Sequence, residues 1–110
     1  MPGFYDQPVL ISADNDAISL LADPVRSQIV AILARGPACV CHLVEDLDAK
    51  QPNISNHIRA LRHAGLIVGE PRGKFTFYRL VPEAFDTAAE QLAALAAQAR
   101  ASADSYRECS

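Results

Sequence analysis

The chain has no tryptophan, one methionine and only three cysteines in 110 residues. No stretch approaches the ~18 consecutive apolar residues of a membrane span, which excludes an integral membrane protein. The opening MPGFYDQPVL lacks a basic patch followed by an apolar run, so no secretory signal is expected. The cysteine number is odd, and two of the three form the pair Cys39-Val40-Cys41. That usage argues against a secreted disulfide framework and for free thiols in a reducing cytoplasm. Catalytic signatures are missing as well. There is no glycine-rich phosphate loop and no recognisable Ser, His and acid set. A cysteine with His42 and Glu45 can be drawn as nucleophile, base and orienter, but the three are local to one helix and imply no pocket. We therefore expect no enzyme, no organic cofactor and no membrane partner. A module that binds protein rather than nucleic acid stays as an alternative.

What is present is an ordinary globular composition, 50% hydrophobic and 21% charged. A chain of this length makes one domain and can bury a single core without staples. The net charge is only −3, but it is unevenly spread. Residues 1–49 carry seven acids against two bases, and 80–110 carry five against two. Between them, 50–79 hold six bases (Lys50, Arg59, Arg62, Arg72, Lys74, Arg79) and one acid, Glu70. A basic stretch inside an acidic chain is the footprint of a phosphate-binding element, or, more simply, a solvated face.

Periodicity predicts helices, then a hairpin, then a helix. Residues 1–12, with two prolines and a glycine, read as a flexible N-terminal arm. Ala17–Ala22 is a short helical stretch. Asp23-Pro24 caps and opens a second helix to about Ala34, with Val25, Ile29, Ile32 and Leu33 on one face. Gly36-Pro37 ends it. A third helix covers Cys39–Leu47, and a three-residue turn leads to a fourth, opened by Gln51-Pro52 and ended by Gly65. The inward stripe of the fourth is Ile54, Ile58 and Leu61. Leu66-Ile67-Val68 reads as a strand, Glu70–Gly73 as a turn, and Lys74–Leu80 as a second strand. Pro82 opens a last, alanine-rich helix over 82–104, with 105–110 as a tail. Its stripe of Phe85, Ala88, Leu92, Leu95 and Ala99 suits a homodimer interface, for which Phe85, Leu92 and Leu95 are the candidates, or a cover for the domain's own core.

The third and fourth helices with their short turn form a helix-turn-helix, and the hairpin with Arg72 and Lys74 at its tip forms a wing. The expected fold is mostly α with a small β-hairpin, a winged helix-turn-helix of order α-α-α-α-β-β-α, filling 1–110 as one domain. Residue type then assigns roles on DNA. Asn53, Ser55, Asn56 and Arg59 suit base edges, since Asn pairs with adenine and Arg with guanine. Lys50, Arg62, Arg72 and Lys74 suit phosphates, which set affinity and salt dependence rather than sequence. Gln51 caps the fourth helix or touches the backbone.

The stretches LLADPVRSQIVAIL, CVCHLVEDL and QPNISNHIRALRHAGLIVGEPRGKFTFYRL resemble the ArsR/SmtB family of winged-helix metalloregulators. The resemblance spans about residues 17–80, and the last helix fits in position and length. It implies a homodimeric repressor that sits on operator DNA, an inverted repeat, and leaves when an inducer binds. Cys39 and Cys41 lie where the arsenic-sensing branch carries its C-V-C thiols, which implies As(III) or Sb(III) as inducer. That branch often has a third cysteine three positions after the second, and here that residue is Val44. Cys109 is the remaining candidate for a third ligand, alongside an exogenous thiol or hydroxide.

Soft, thiophilic As(III) and Sb(III) prefer thiolates, and a helix start favours thiolate over thiol. On a regular helix two residues at i and i+2 diverge by about 200°. Both cysteines then reach one arsenic only if the first turn unwinds, and such unwinding would disturb the recognition helix. The same spacing places the pair poorly for an unstrained disulfide, for which Cys41 with Cys109 is the better candidate if folding brings them together. Two other inducer classes fit the same fold. His42 beside the thiols suits zinc or cadmium, and neighbouring thiols suit an oxidant or persulfide. The zinc and nickel sites that the family carries on its last helix are missing, because 82–104 contain no histidine. His57 is expected to pack or hydrogen-bond rather than ligate, and His63 to face phosphate or the end of its helix.

Overall fold

The computed structural model of the chain describes residues 17–109, and the 1–12 arm lies outside that range. Five helices and one hairpin follow the expected order: α1 (Ala17–Leu20), α2 (Pro24–Leu33), α3 (Val40–Leu47), α4 (Gln51–His63), β1 (Ile67–Arg72), β2 (Phe75–Leu80) and α5 (Pro82–Ala101). Local chemistry explains the boundaries. The Asp23 carboxylate accepts from the backbone N–H groups of Val25 (2.8 Å) and Arg26 (3.1 Å), and Pro24 takes the first helical position. α3 ends at Asp48, which turns the chain with φ 50°, a left-handed conformation that Asp tolerates better than most residues. Lys50, not Gln51, occupies the cap of α4, and no side chain closes that helix start. Gln51 is instead its first, exposed residue.

The core is where the stripes meet. Ile29 and Leu33 of α2, Leu43 of α3, Ile54, Ile58 and Leu61 of α4, and Leu66 and Ile67 at the start of the hairpin form one buried cluster. Truncating such a side chain to alanine costs about 2–5 kcal/mol. The cluster fixes α3 against α4 and so holds the helix-turn-helix as a rigid pair.

The hairpin differs from expectation. β1 runs through Glu70 and Pro71 to Arg72, paired with β2 in antiparallel register from Ile67↔Leu80 to Arg72↔Phe75. The turn is therefore Gly73-Lys74, not Glu70–Gly73. Gly73 at φ 64° supplies the positive angle needed at the first position of a two-residue turn. Pro71 is tolerated because β1 is an edge strand. On its other side β2 makes an isolated bridge to Ala38, just before α3. α5 stops at Ala101, three residues short of expectation. Only Ala88 of α5 is buried, and Leu92 and Leu95 are 50% and 38% exposed. No helix of the described residues is long and apolar enough to cross a membrane.

Candidate functional site

The thiol pair is placed by the start of α3. Cys39 is not helical. It is the cap residue, with extended backbone at φ −97° and ψ 170°, and α3 begins only at Val40. Its side chain therefore does not follow the helical screw, and the 200° divergence expected for two helical residues does not arise. The Cα atoms of Cys39 and Cys41 are 5.4 Å apart and their sulfurs are joined as a disulfide. The expectation that the two sulfurs can meet only if the first turn of the helix unwinds is thus corrected. Cys39 is buried and Cys41 is exposed.

His42 completes the cluster. Its Nδ1 accepts from the Cys39 backbone N–H at 3.1 Å and lies 3.3 Å from Cys39 Sγ. Its ring is tilted against Phe77 of β2, with centroids 5.8 Å apart. Among the described residues, ligand atoms of Cys39, Cys41 and His42 fall within 4.8 Å of one another. Cys109 is not part of this group. It is a free, exposed thiol beyond the end of α5. Residue type alone tied His42 to the zinc or cadmium alternative, and the structure makes it a neighbour of both sulfurs.

A groove of about 390 Å³ opens beside the sulfurs, lined by Cys39, Cys41, Gln51, Lys74, Phe75 and Tyr78 among others. Two of these, Gln51 and Lys74, belong to the residues expected on DNA. The thiols thus share one cleft with the start of α4 and the tip of the wing.

The basic stretch forms the adjoining surface. Lys50, Asn53, Asn56, Arg59 and Arg62 are exposed along α4 and its cap, and Ser55 is half-buried. Arg59 donates to Asn56 Oδ1 at 3.0 Å, which orders both side chains on the open face. Arg72 and Lys74 are exposed at the wing tip. Glu70, the one acid of the stretch, lies 3.8 Å from Arg79, a base not expected on DNA. Arg62 sits over the Tyr78 ring at 6.0 Å, so it is aimed by the wing. His57 accepts at Nδ1 from Arg26 Nε at 3.1 Å, in keeping with a hydrogen-bonding rather than a ligand role.

Residues 23–68 match the model of the bacterial regulatory proteins of the arsR family. The arsenical resistance operon repressor of Escherichia coli is 45% identical over 64 residues, covering 57% of this chain and 55% of the repressor. The crystal structure of an ArsR family transcriptional regulator superimposes with a TM-score of 0.67 at 30% identity, covering 74% of this chain and 89% of that one. The chain belongs to the ArsR family. A further ArsR-type structure is a possible ArsR-family regulator from Mycobacterium bovis, described as a homodimeric winged helix-turn-helix DNA-binding domain. Its TM-score is 0.53 at 28% identity, covering 81% of this chain and 76% of that one. The chain spans about half the length of the curated ArsR relatives it matches.

Proposed function

We propose that this ArsR-family chain is a cytoplasmic transcriptional repressor, a single domain that binds operator DNA as a homodimer and releases it when As(III) or Sb(III) binds Cys39 and Cys41. The observation that carries the reading is the adjacency of the two sulfurs in a groove shared with Gln51 and Lys74. An inducer held there acts at the edge of the DNA surface. The donor set fits the ligand class, because two thiolates suit a soft trivalent metalloid. The likeness to an arsenical resistance operon repressor supports the same choice.

On DNA, Asn53, Ser55, Asn56 and Arg59 read base edges, while Lys50, Gln51, Arg62, Arg72 and Lys74 hold phosphates. Phe85, Leu92 and Leu95 of α5 form the dimer contact, and the resulting two-fold sets the inverted repeat. Cys109, exposed and outside the cluster, is the candidate for a third thiolate reaching the site from a second copy.

The test titrates arsenite into reduced protein bound to a labelled duplex that the protein has selected from a random pool, followed by fluorescence anisotropy. Wild type is expected to dissociate, and Cys39→Ser and Cys41→Ser to stay bound. Loss of release in Cys109→Ser would assign the third ligand, and unchanged release would leave that position to hydroxide or a free thiol. Retention of DNA by wild type, or release that survives Cys39→Ser, overturns the arsenic reading. The short distance between His42 and Cys39 favours one second reading, a zinc or cadmium sensor. Release by cadmium that requires His42, with none by arsenite, would establish it.

A further inference from the structure

Because Cys39 lies outside α3 with extended backbone, its sulfur does not need unwinding of the helix to share a ligand with Cys41, and a different route from inducer to DNA is called for. We propose that Tyr78 is the positioning residue that carries it, transmitting a change at Cys39 to Arg62 of α4. The proposal rests on the reading above.

Tyr78 meets the thiol site through its backbone. Its N–H donates to the Ala38 carbonyl at 2.8 Å, and the Ala38 N–H donates to the Tyr78 carbonyl at 3.1 Å. Ala38 is the residue immediately before Cys39, so Cys39 has no slack segment between itself and the wing. An atom bridging Cys39 and Cys41 fixes the Cys39 side chain and backbone, and the paired hydrogen bonds pass that change to β2.

Tyr78 meets the DNA surface through its ring. The Arg62 guanidinium lies over the ring at 6.0 Å. The ring itself has a prepared seat. Both backbone groups of Tyr78 point to Ala38, so its cross-strand pair with Gly69 is the close, non-hydrogen-bonded kind. The ring lies where a side chain on Gly69 would be: a Cβ there would come within 2.9 Å of Tyr78 Cε1 and of Thr76 Cγ2. Glycine at this position therefore lets the ring lie flat across β1 towards Arg62. A shift of β2 relative to α4 re-aims Arg62 between the ring and a DNA phosphate. The competing route is direct, through packing of Leu43 against α4 in the core. That core is shared with α2 and is closely packed, so it resists movement.

The experiment measures DNA affinity with and without saturating sodium arsenite, on reduced protein and the selected duplex, and takes the ratio. The ratio reports coupling whatever the absolute affinities. Wild type is expected to weaken at least about tenfold, within the usual range of allosteric coupling. Tyr78→Ala is expected to show less than about a twofold effect while still binding arsenite, followed by loss of titratable thiols. Tyr78→Phe keeps the ring and is expected to restore the wild-type ratio. Gly69→Ala displaces the ring without altering Tyr78 and is expected to lower the ratio. It keeps the question answerable if Tyr78→Ala does not fold. Wild-type ratios in Tyr78→Ala, or in Gly69→Ala should the former be unfolded, would overturn the proposal and leave the core route. A ratio of one in wild type itself would overturn the arsenic reading, and this proposal with it.

Discussion

At the scale of single residues, the informative positions are helix caps. Asp23 accepts two backbone N–H groups at the start of α2. The Arg26 N–H foremost holds its carboxyl below the ordinary value; desolvation, the next largest effect, opposes it, and the Val25 N–H and the nearby Arg26 guanidinium add to the lowering. A carboxyl with a depressed folded pKa stabilises the fold above its unfolded value and loses that contribution as pH falls through the folded one. Asp23→Ala is thus expected to melt a few degrees below wild type at pH 7. The gap should close only as pH falls below the ordinary Asp range and through the lowered folded value. Thermal melts of both proteins from pH 7 to pH 3 check this, and a gap that stays constant would remove the charge from the account. Asp23 was legible because Asp followed by Pro is a strong start signal. Cys39 was not, because cysteine is seldom thought of as a cap. Its sequence still held a clue: Cys39-x-x-His42 has the spacing of a capping box, with sulfur in place of the serine oxygen and His42 returning to the cap N–H. Reading that box would have moved Cys39 out of the helix and brought the two sulfurs together.

At the scale of elements, the stripes of α2 and α4 were legible because their apolar spacing is long and regular, and every residue of the Ile54, Ile58, Leu61 stripe is buried. The wing was harder. Glu-Pro-Arg-Gly has the composition of a turn, yet Pro71 sits within an edge strand and the real turn is the two residues after Arg72. The correction matters for function, because it keeps Arg72 at the end of a paired strand and puts Lys74 in the turn itself. Both then project from a stiff hairpin rather than a loose loop. If each holds one phosphate, Arg72→Ala and Lys74→Ala should each reduce the slope of log K against log salt by about one. Arg79→Ala should leave the slope nearly unchanged, because Arg79 lies against Glu70. Binding isotherms between low and moderate salt measure all three, and equal slopes in wild type and Lys74→Ala would take the wing off the phosphates.

At the scale of the whole molecule, α5 is the element that the described residues do not finish covering. Its first half closes the core through Ala88 and the half-buried Phe85, while Leu92 and Leu95 further along are largely exposed. A 20-residue helix is about 30 Å long, so its second half projects well past the core it closes. Alanine dominates the sequence around those leucines, which stabilises the helix and lets a second helix approach closely. A two-fold contact uses each leucine twice. Only the exposed half or less of each leucine is left for the contact to bury, so at about 2 kcal/mol for a fully buried leucine replacing Leu92 and Leu95 by alanine should weaken the dimer by about 3 kcal/mol, roughly a hundredfold. The helix itself should survive, because alanine is the best helix former. Sedimentation equilibrium is expected to show wild type as a dimer at micromolar concentration and Leu92→Ala/Leu95→Ala as a monomer with unchanged far-ultraviolet circular dichroism. If the operator is an inverted repeat, as proposed, DNA binding should fall with it, since one protomer then reaches only one half-site. A double variant that stays dimeric would move the interface off this face of α5, and the paired wings and recognition helices would then need a different two-fold axis.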